Sequence, residues 1–243
     1  MRLFLFDIDG TLLDAHRAGY HSLVGAMQII FGTAGDPAGY DWRGKTDPLI
    51  VRDVLRAAGI PDETIREQLP RCFETYVRLL DARLSNGHPV TVLPGIPELV
   101  RRLGRTPDAV VGILTGNIEG GANVKLQPTG LASCFRVAAF GSDESDRRRL
   151  PAIARRRAQE LVGREIPFRE IVIIGDTPLD VDCARASGCV AVAVATGQHS
   201  VEELEATRPD LLFASFADVD ESVRRLTEPL REDLRHQPRR NQP

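Results

Sequence analysis

A short, mostly apolar run from Arg2 to Phe6 stops abruptly at Asp7-Ile8-Asp9-Gly10-Thr11-Leu12-Leu13-Asp14. Four to eight apolar residues closed by a turn signal predict a buried strand. The next stretch changes period: Tyr20, Leu23, Val24, Met27, Ile30 and Phe31 recur at helical spacing. Gly32 to Gly39 breaks it. Asp47-Pro48 then opens a second helix, with Asp47 expected as its N-cap, Pro48 in the first turn and Gly59 beyond its end. A third helix follows Pro61, carried by Phe73, Tyr76, Val77 and Leu80. No strand is predicted between residues 15 and 88, and Ser85 to Pro94 reads as a turn-rich return.

Beyond it the pattern alternates. Strands are predicted at Val110 to Leu114, Val137 to Phe140, Ile171 to Ile174, Val190 to Val194 and Leu211 to Phe213. Helices are predicted from Pro97 to near Gly104, at Glu119 to Leu126, Pro151 to Val162, Leu179 to Ala186 and Val201 to Ala206, and at Ala217 to Leu226. Strands alternating with helices imply parallel crossover units, hence an α/β fold with a doubly wound parallel sheet. The expected division is a core of residues 1–15 and 89–227, an inserted all-helical cap of 16–88, and a polar, frayed tail of 228–243 carrying Arg239-Arg240.

In such sheets ligands bind beyond the carboxyl ends of the strands, where the strand order reverses. The first strand ends in Asp7 and Asp9. The strand at Val110 ends in Thr115, Gly116 and Asn117. The strand at Ile171 ends in Gly175, Asp176 and Thr177, with Asp180 close behind. Carboxylates there do nothing for packing, and a buried charge needs a partner or a metal. A calcium loop is excluded, because it requires glycine at its sixth position and a helix before it. The remaining chemistry is phosphoryl transfer: Asp7 as nucleophile, Asp9 as acid and base, and Mg2+ held by Asp7, Asp176, the Asp9 carbonyl and Asp180, directly or through water. Thr115 and the amides after it are the donors for the phosphoryl oxygens.

One cation should balance this much negative charge. The chain has two lysines, Lys45 and Lys125. Lys125 lies on the helix behind Thr115, whereas Lys45 lies in the helical insertion; Arg148 and Arg149 are the alternatives.

Taken in order, Asp7-x-Asp9-Gly10-Thr11-Leu12, Leu114-Thr115-Gly116-Asn117 and Gly175-Asp176-Thr177-x-x-Asp180 resemble the motifs of the haloacid-dehalogenase superfamily, and the likeness covers the chain to about residue 226. The insertion resembles the C1-type cap of the phosphoglycolate-phosphatase-like and beta-phosphoglucomutase-like branch. The resemblance implies a Mg2+-dependent phosphatase with Asp7 as nucleophile and Asp9 as general acid and base. Many members carry a Lys-Pro pair where this chain has Asp146-Arg147-Arg148-Arg149-Leu150-Pro151. Others place the lysine on the helix after the second motif, which points to Lys125. Gly44-Lys45-Thr46-Asp47 resembles a cap recognition loop, with Lys45 meeting the non-phosphate end of the substrate.

The expected activity is hydrolysis of a small phosphate monoester. The alternatives are a phosphomutase, a phosphonate hydrolase using Lys45 as a Schiff base, and a non-catalytic phosphate-binding protein. Dehalogenation is disfavoured, having no use for Asp9. The expected partner is a small phosphorylated metabolite. A net charge of −3 and a pI near 6.0 disfavour nucleic acid, and no run approaches the ~18 apolar residues of a membrane span. Four scattered cysteines and an immediate entry into the first strand predict reduced thiols, no leader, and a cytoplasmic protein; a monomer or homodimer is expected, which the sequence does not choose between.

Overall fold

The computed structural model describes residues 1–228; the Arg239-Arg240 pair lies outside the described residues. A six-stranded, all-parallel sheet forms the centre: β1 (Arg2–Phe6), β4 (Ala109–Thr115), β5 (Val137–Phe140), β6 (Ile171–Gly175), β7 (Val190–Val194) and β8 (Leu211–Phe213). Its spatial order is β5-β4-β1-β6-β7-β8. β1 is therefore central, paired with β4 through Phe4–Val111 and with β6 through Phe4–Val172. A strand covered on both faces needs an apolar side chain at every position. Successive residues point to opposite faces: Phe4 and Phe6 join one core cluster, Leu3 and Leu5 the other.

The chain leaves the sheet through β2 (Leu13–Asp14), which pairs antiparallel with β3 (Thr91–Val92). Between them lie helices α1 (Ala18–Phe31), α2 (Asp47–Ala57) and α3 (Asp62–Ser85). β3 departs from the expected turn-rich return, and β2 was not expected either: with two residues each, they carry no readable alternation. α1 and α3 pack along one another, and Ala26, Met27, Tyr76 and Leu80 are buried. α2 corrects a further expectation. Its N-cap is Thr46, whose hydroxyl accepts from Leu49 N at 3.4 Å; Asp47 is instead the first helical residue and is buried.

The remaining helices are α4 (Ile96–Arg105), α5 (Glu119–Leu126), α6 (Leu150–Val162), α7 (Pro178–Ser187), α8 (Val201–Ala206) and α9 (Val219–Thr227). Each agrees with its predicted span to within about two residues, the usual uncertainty of a helix end. The four cysteines are unpaired, and burial pushes the Cys72, Cys183 and Cys189 thiols up to about 12. Among the described residues, no helix is long and apolar enough to cross a membrane.

Candidate active site

Because β1 sits between β4 and β6, its carboxyl end marks the point where the strand order reverses. Asp7 N donates to Ile174 O at 2.9 Å, which extends the pairing by one residue and fixes the carboxylate at the carboxyl end of the central strand. The chain then turns through Gly10 at φ 77°. A side chain at Gly10 would run into the Asp176 carboxylate, so only glycine lets the two segments meet. Asp176 follows β6 and accepts from Thr11 Oγ1 at 3.1 Å. Asp180 sits in the first turn of α7, where Thr177 N and Oγ1 donate to its Oδ2 at 3.0 and 2.7 Å in a capping box.

Asp7, Asp176 and Asp180 are all buried, and each offers a carboxylate oxygen within 4.8 Å of the others'. Burial is the largest influence on Asp7 and raises its pKa to about 6; Arg147 pulls it down and Asp180 pushes it up. Burial, then repulsion from Asp180 and Asp7, holds Asp176 well above the ordinary carboxylate range. Asp7 Oδ1 is buried and accepts no hydrogen bond among the described residues. Three crowded carboxylates with an unused oxygen are the donor set that a hard divalent cation takes. The site therefore fits such an ion on its own geometry.

Asp9 does not point into this group. Its Oδ2 accepts from Lys125 Nζ at 2.7 Å and from Asn117 Nδ2 at 2.8 Å. Lys125 also donates to Asn117 Oδ1 at 2.6 Å, and Asn117 Nδ2 donates to Thr115 Oγ1 at 2.8 Å. Lys125, Asn117 and Thr115 are buried. Lys125 thus stands at the loop after β4, beside Asp9. Gly116 is where the loop after β4 meets the start of α2: its carbonyl accepts from Asp47 N at 2.8 Å, and a side chain there would collide with the Lys45 carbonyl. Lys45 lines the same cavity, of about 580 Å3, as Asp7, Asp9, Thr115, Asn117, Lys125 and Asp176.

Two residues were missed. Arg148 and Arg149 are not the buried cations of their run. They face outward, Arg148 to Asp182 at 2.7 Å and Arg149 to Glu144 at 3.6 Å. Arg147 turns inward instead. Its Nη2 lies 3.1 Å from Asp7 Oδ2 and 2.5 Å from Asp180 Oδ1, and its Nη1 donates to Gly44 O at 3.2 Å. The signal was present: Arg147, Leu150, Ala154 and Ala158 follow helical spacing, and the last three are buried. Asp47, read as a cap, instead accepts from Ile118 N at 2.8 Å. Burial raises it to about 6, against the pull of Lys125 and the Ile118 amide. Nothing local in the sequence distinguished it from an exposed helix-start carboxylate.

The model of the haloacid dehalogenase-like hydrolases matches residues 1–188. The chain belongs to this family. It is 31% identical to a phosphoglycolate phosphatase of Synechococcus elongatus, over 93% of this chain and 99% of that one. In solved structures its fold is similar to that of a hydrolase from Pseudomonas syringae, with a TM-score of 0.72, 21% identity and coverage of 94% of this chain and 100% of that one. It also resembles CbbY from Rhodobacter sphaeroides, solved with phosphate, at a TM-score of 0.66 and 18% identity, covering 90% and 96% of the two chains. The family and these relatives together support a phosphatase.

Proposed function

We propose that the chain is a Mg2+-dependent, cytoplasmic phosphatase of small phosphorylated metabolites, acting through an aspartyl-phosphate, with 2-phosphoglycolate as the first substrate to test. One observation carries the mechanism: a buried carboxylate, Asp7, keeps Oδ1 free of hydrogen bonds beside two further buried carboxylates. In this reading one carboxylate oxygen of Asp7 attacks phosphorus, and the bond to the alcohol oxygen breaks as the new oxygen–phosphorus bond forms. Asp9 gives its proton to the leaving oxygen. It then takes a proton from the water that cleaves the acyl phosphate, which restores both aspartates. Lys125 and Asn117 hold Asp9 in place, and Thr115 with the Gly116 and Asn117 amides supplies donors to the phosphoryl oxygens. Lys45 meets the non-phosphate end of the substrate from the cap side of the cavity.

The Asp7, Asp176 and Asp180 carboxylates, with the Asp9 carbonyl, are the proposed ligands of Mg2+. When bound, the ion neutralises charge on the phosphoryl group and on the site itself. The enzyme works as a monomer or homodimer, and burial of three of its four thiols suits a reducing compartment. The test is phosphate release from a panel of small monoesters, with Mg2+ and with chelator. Turnover that needs the metal and disappears in Asp7→Asn supports the reading. Release that survives Asp7→Asn would remove the covalent mechanism, and a folded protein with no release from any monoester would remove the phosphatase.

A further inference from the structure

The backbone from Gly44 to Asp47 is laced across the loops that follow three strands of the sheet. The Gly44 carbonyl accepts from Arg147 Nη1 at 3.2 Å, and a side chain at Gly44 would run into Thr177 Oγ1 after β6. Thr46 Oγ1 donates to Ser145 O at 2.7 Å, between β5 and α6. Asp47 meets the loop after β4 twice. Its amide donates to Gly116 O at 2.8 Å, and its Oδ2 accepts from Ile118 N at 2.8 Å.

That is an uncommon use of a carboxylate in the first turn of a helix, which ordinarily stays in water and complements the helix dipole. Asp47 is buried instead, and its acceptor goes to an amide 71 positions away. The loop it holds has few other supports. Asn117 O accepts from Gly141 N at 2.8 Å. Among the described residues, the Gly116 carbonyl and the Ile118 amide are bonded to Asp47 alone. Gly116 brings no side chain to brace the turn, and its backbone is the freest of any residue type.

The two Asp47 bonds bracket Gly116 and Asn117. The amides of these two residues are the donors proposed above for the phosphoryl oxygens, and the Asn117 side chain holds Asp9. Donors stabilise a developing charge only when they are aimed in advance. We propose that Asp47 is a positioning residue for the phosphoryl group: by holding the Gly116 carbonyl and the Ile118 amide, it aims the donors of the loop after β4. The inserted helices then complete the phosphate site as well as cover it. The proposal rests on the phosphatase reading for the place of the phosphate. It concerns the phosphoryl end alone, so its signature is a loss that ignores the alcohol.

Inorganic phosphate is therefore the probe, titrated calorimetrically with Mg2+ present. Asp47→Ala should bind it about tenfold more weakly, the share of affinity that one hydrogen bond to a charged group carries. Asp47→Asn keeps an acceptor for Ile118 N and should recover most of that loss. Thr46→Val breaks the tie to Ser145 but neither Asp47 bond; it should lower the urea midpoint and leave phosphate affinity unchanged. In turnover, Asp47→Ala should lower kcat/KM by the same factor for 2-phosphoglycolate and for the neutral 2-hydroxyethyl phosphate. If Asp47→Ala does not fold, Asp47→Glu takes its place, since the carboxylate is then displaced by one methylene and the same loss is expected.

Wild-type affinity for phosphate in the folded alanine or glutamate variant would overturn the proposal. So would an equal loss in Thr46→Val, which would reduce Asp47 to general docking, or an asparagine variant no better than alanine. A chain that turns over no monoester yet binds phosphate in an Asp47-dependent way removes the phosphatase and keeps the positioning role. Turnover with phosphate affinity indifferent to Asp47 does the reverse.

Discussion

Replacing Arg147 with methionine isolates the charge that holds the carboxylate cluster together. The guanidinium is 8% exposed and lies 3.1 Å from Asp7 and 2.5 Å from Asp180. Truncating one partner of a buried ion pair costs about 3–5 kcal/mol, because the other charge stays buried without compensation. Here two partners are stranded, and Asp176 adds to the repulsion. Lys125, the next buried cation, is committed to Asp9 and Asn117. At this chain length each kcal/mol moves Tm by about 2–4 °C, so the metal-free variant should melt about 6–20 °C lower near pH 8.

The loss should also depend on pH. Arg147 pulls the Asp7 pKa down, so removing it raises Asp7 above its present value of about 6. A carboxylate whose folded pKa is raised contributes stability that is present below its unfolded pKa and lost as pH rises through the folded one. The variant should therefore recover toward wild type near pH 5 and differ most near pH 8. Urea denaturation at both pH values, with chelator, measures this. Adding Asp180→Asn should return part of the loss, since one stranded charge is then removed. A loss below about 1 kcal/mol at both pH values would show that the buried pairing carries no such weight.

Asp47 makes a separate pH prediction: its raised pKa, about 6, contributes stability that is lost between roughly pH 4 and 6. Asp47→Asn should flatten the stability profile in that window, and an unaltered slope in urea melts would contradict the assignment. Gly116→Ala should push the loop after β4 away from the segment that opens α2, because the new methyl group meets the Lys45 carbonyl. We expect a cost of about 1–3 kcal/mol with a fall in kcat/KM. Gly104→Ala, in α4 with nothing near the added carbon, should instead stabilise by about 0.5–1 kcal/mol. A divalent ion at a hundred times its Kd should raise stability by about 2.7 kcal/mol, seen as a thermal shift. Asp176→Asn should abolish most of that shift; an equal shift in wild type and variant would place the ion elsewhere.

The sequence by itself determined the layers and the strand ends. Apolar runs and helical spacing are local properties, and a strand buried on both faces or a helix buried on one must show them. That is why β1, β5, β7 and α5 were readable almost to the residue, and why carboxylates at the ends of β1 and β6 stood out as useless for packing. The paired ribbon of β2 and β3 was invisible, because two residues carry no period. Only the tertiary structure decided which charges meet. Asp7 and Asp9 are two residues apart, yet one joins the buried carboxylate group and the other turns to Lys125 and Asn117. Three adjacent arginines form the short turn that leads into α6 and differ in the side on which that turn places them, so Arg147 bridges Asp7 and Asp180 while its neighbours face outward. Asp47 became a buried acceptor because α2 begins against the loop after β4, some seventy residues away in sequence. Such partners are set by distance in space, which the order of residues along the chain does not encode locally.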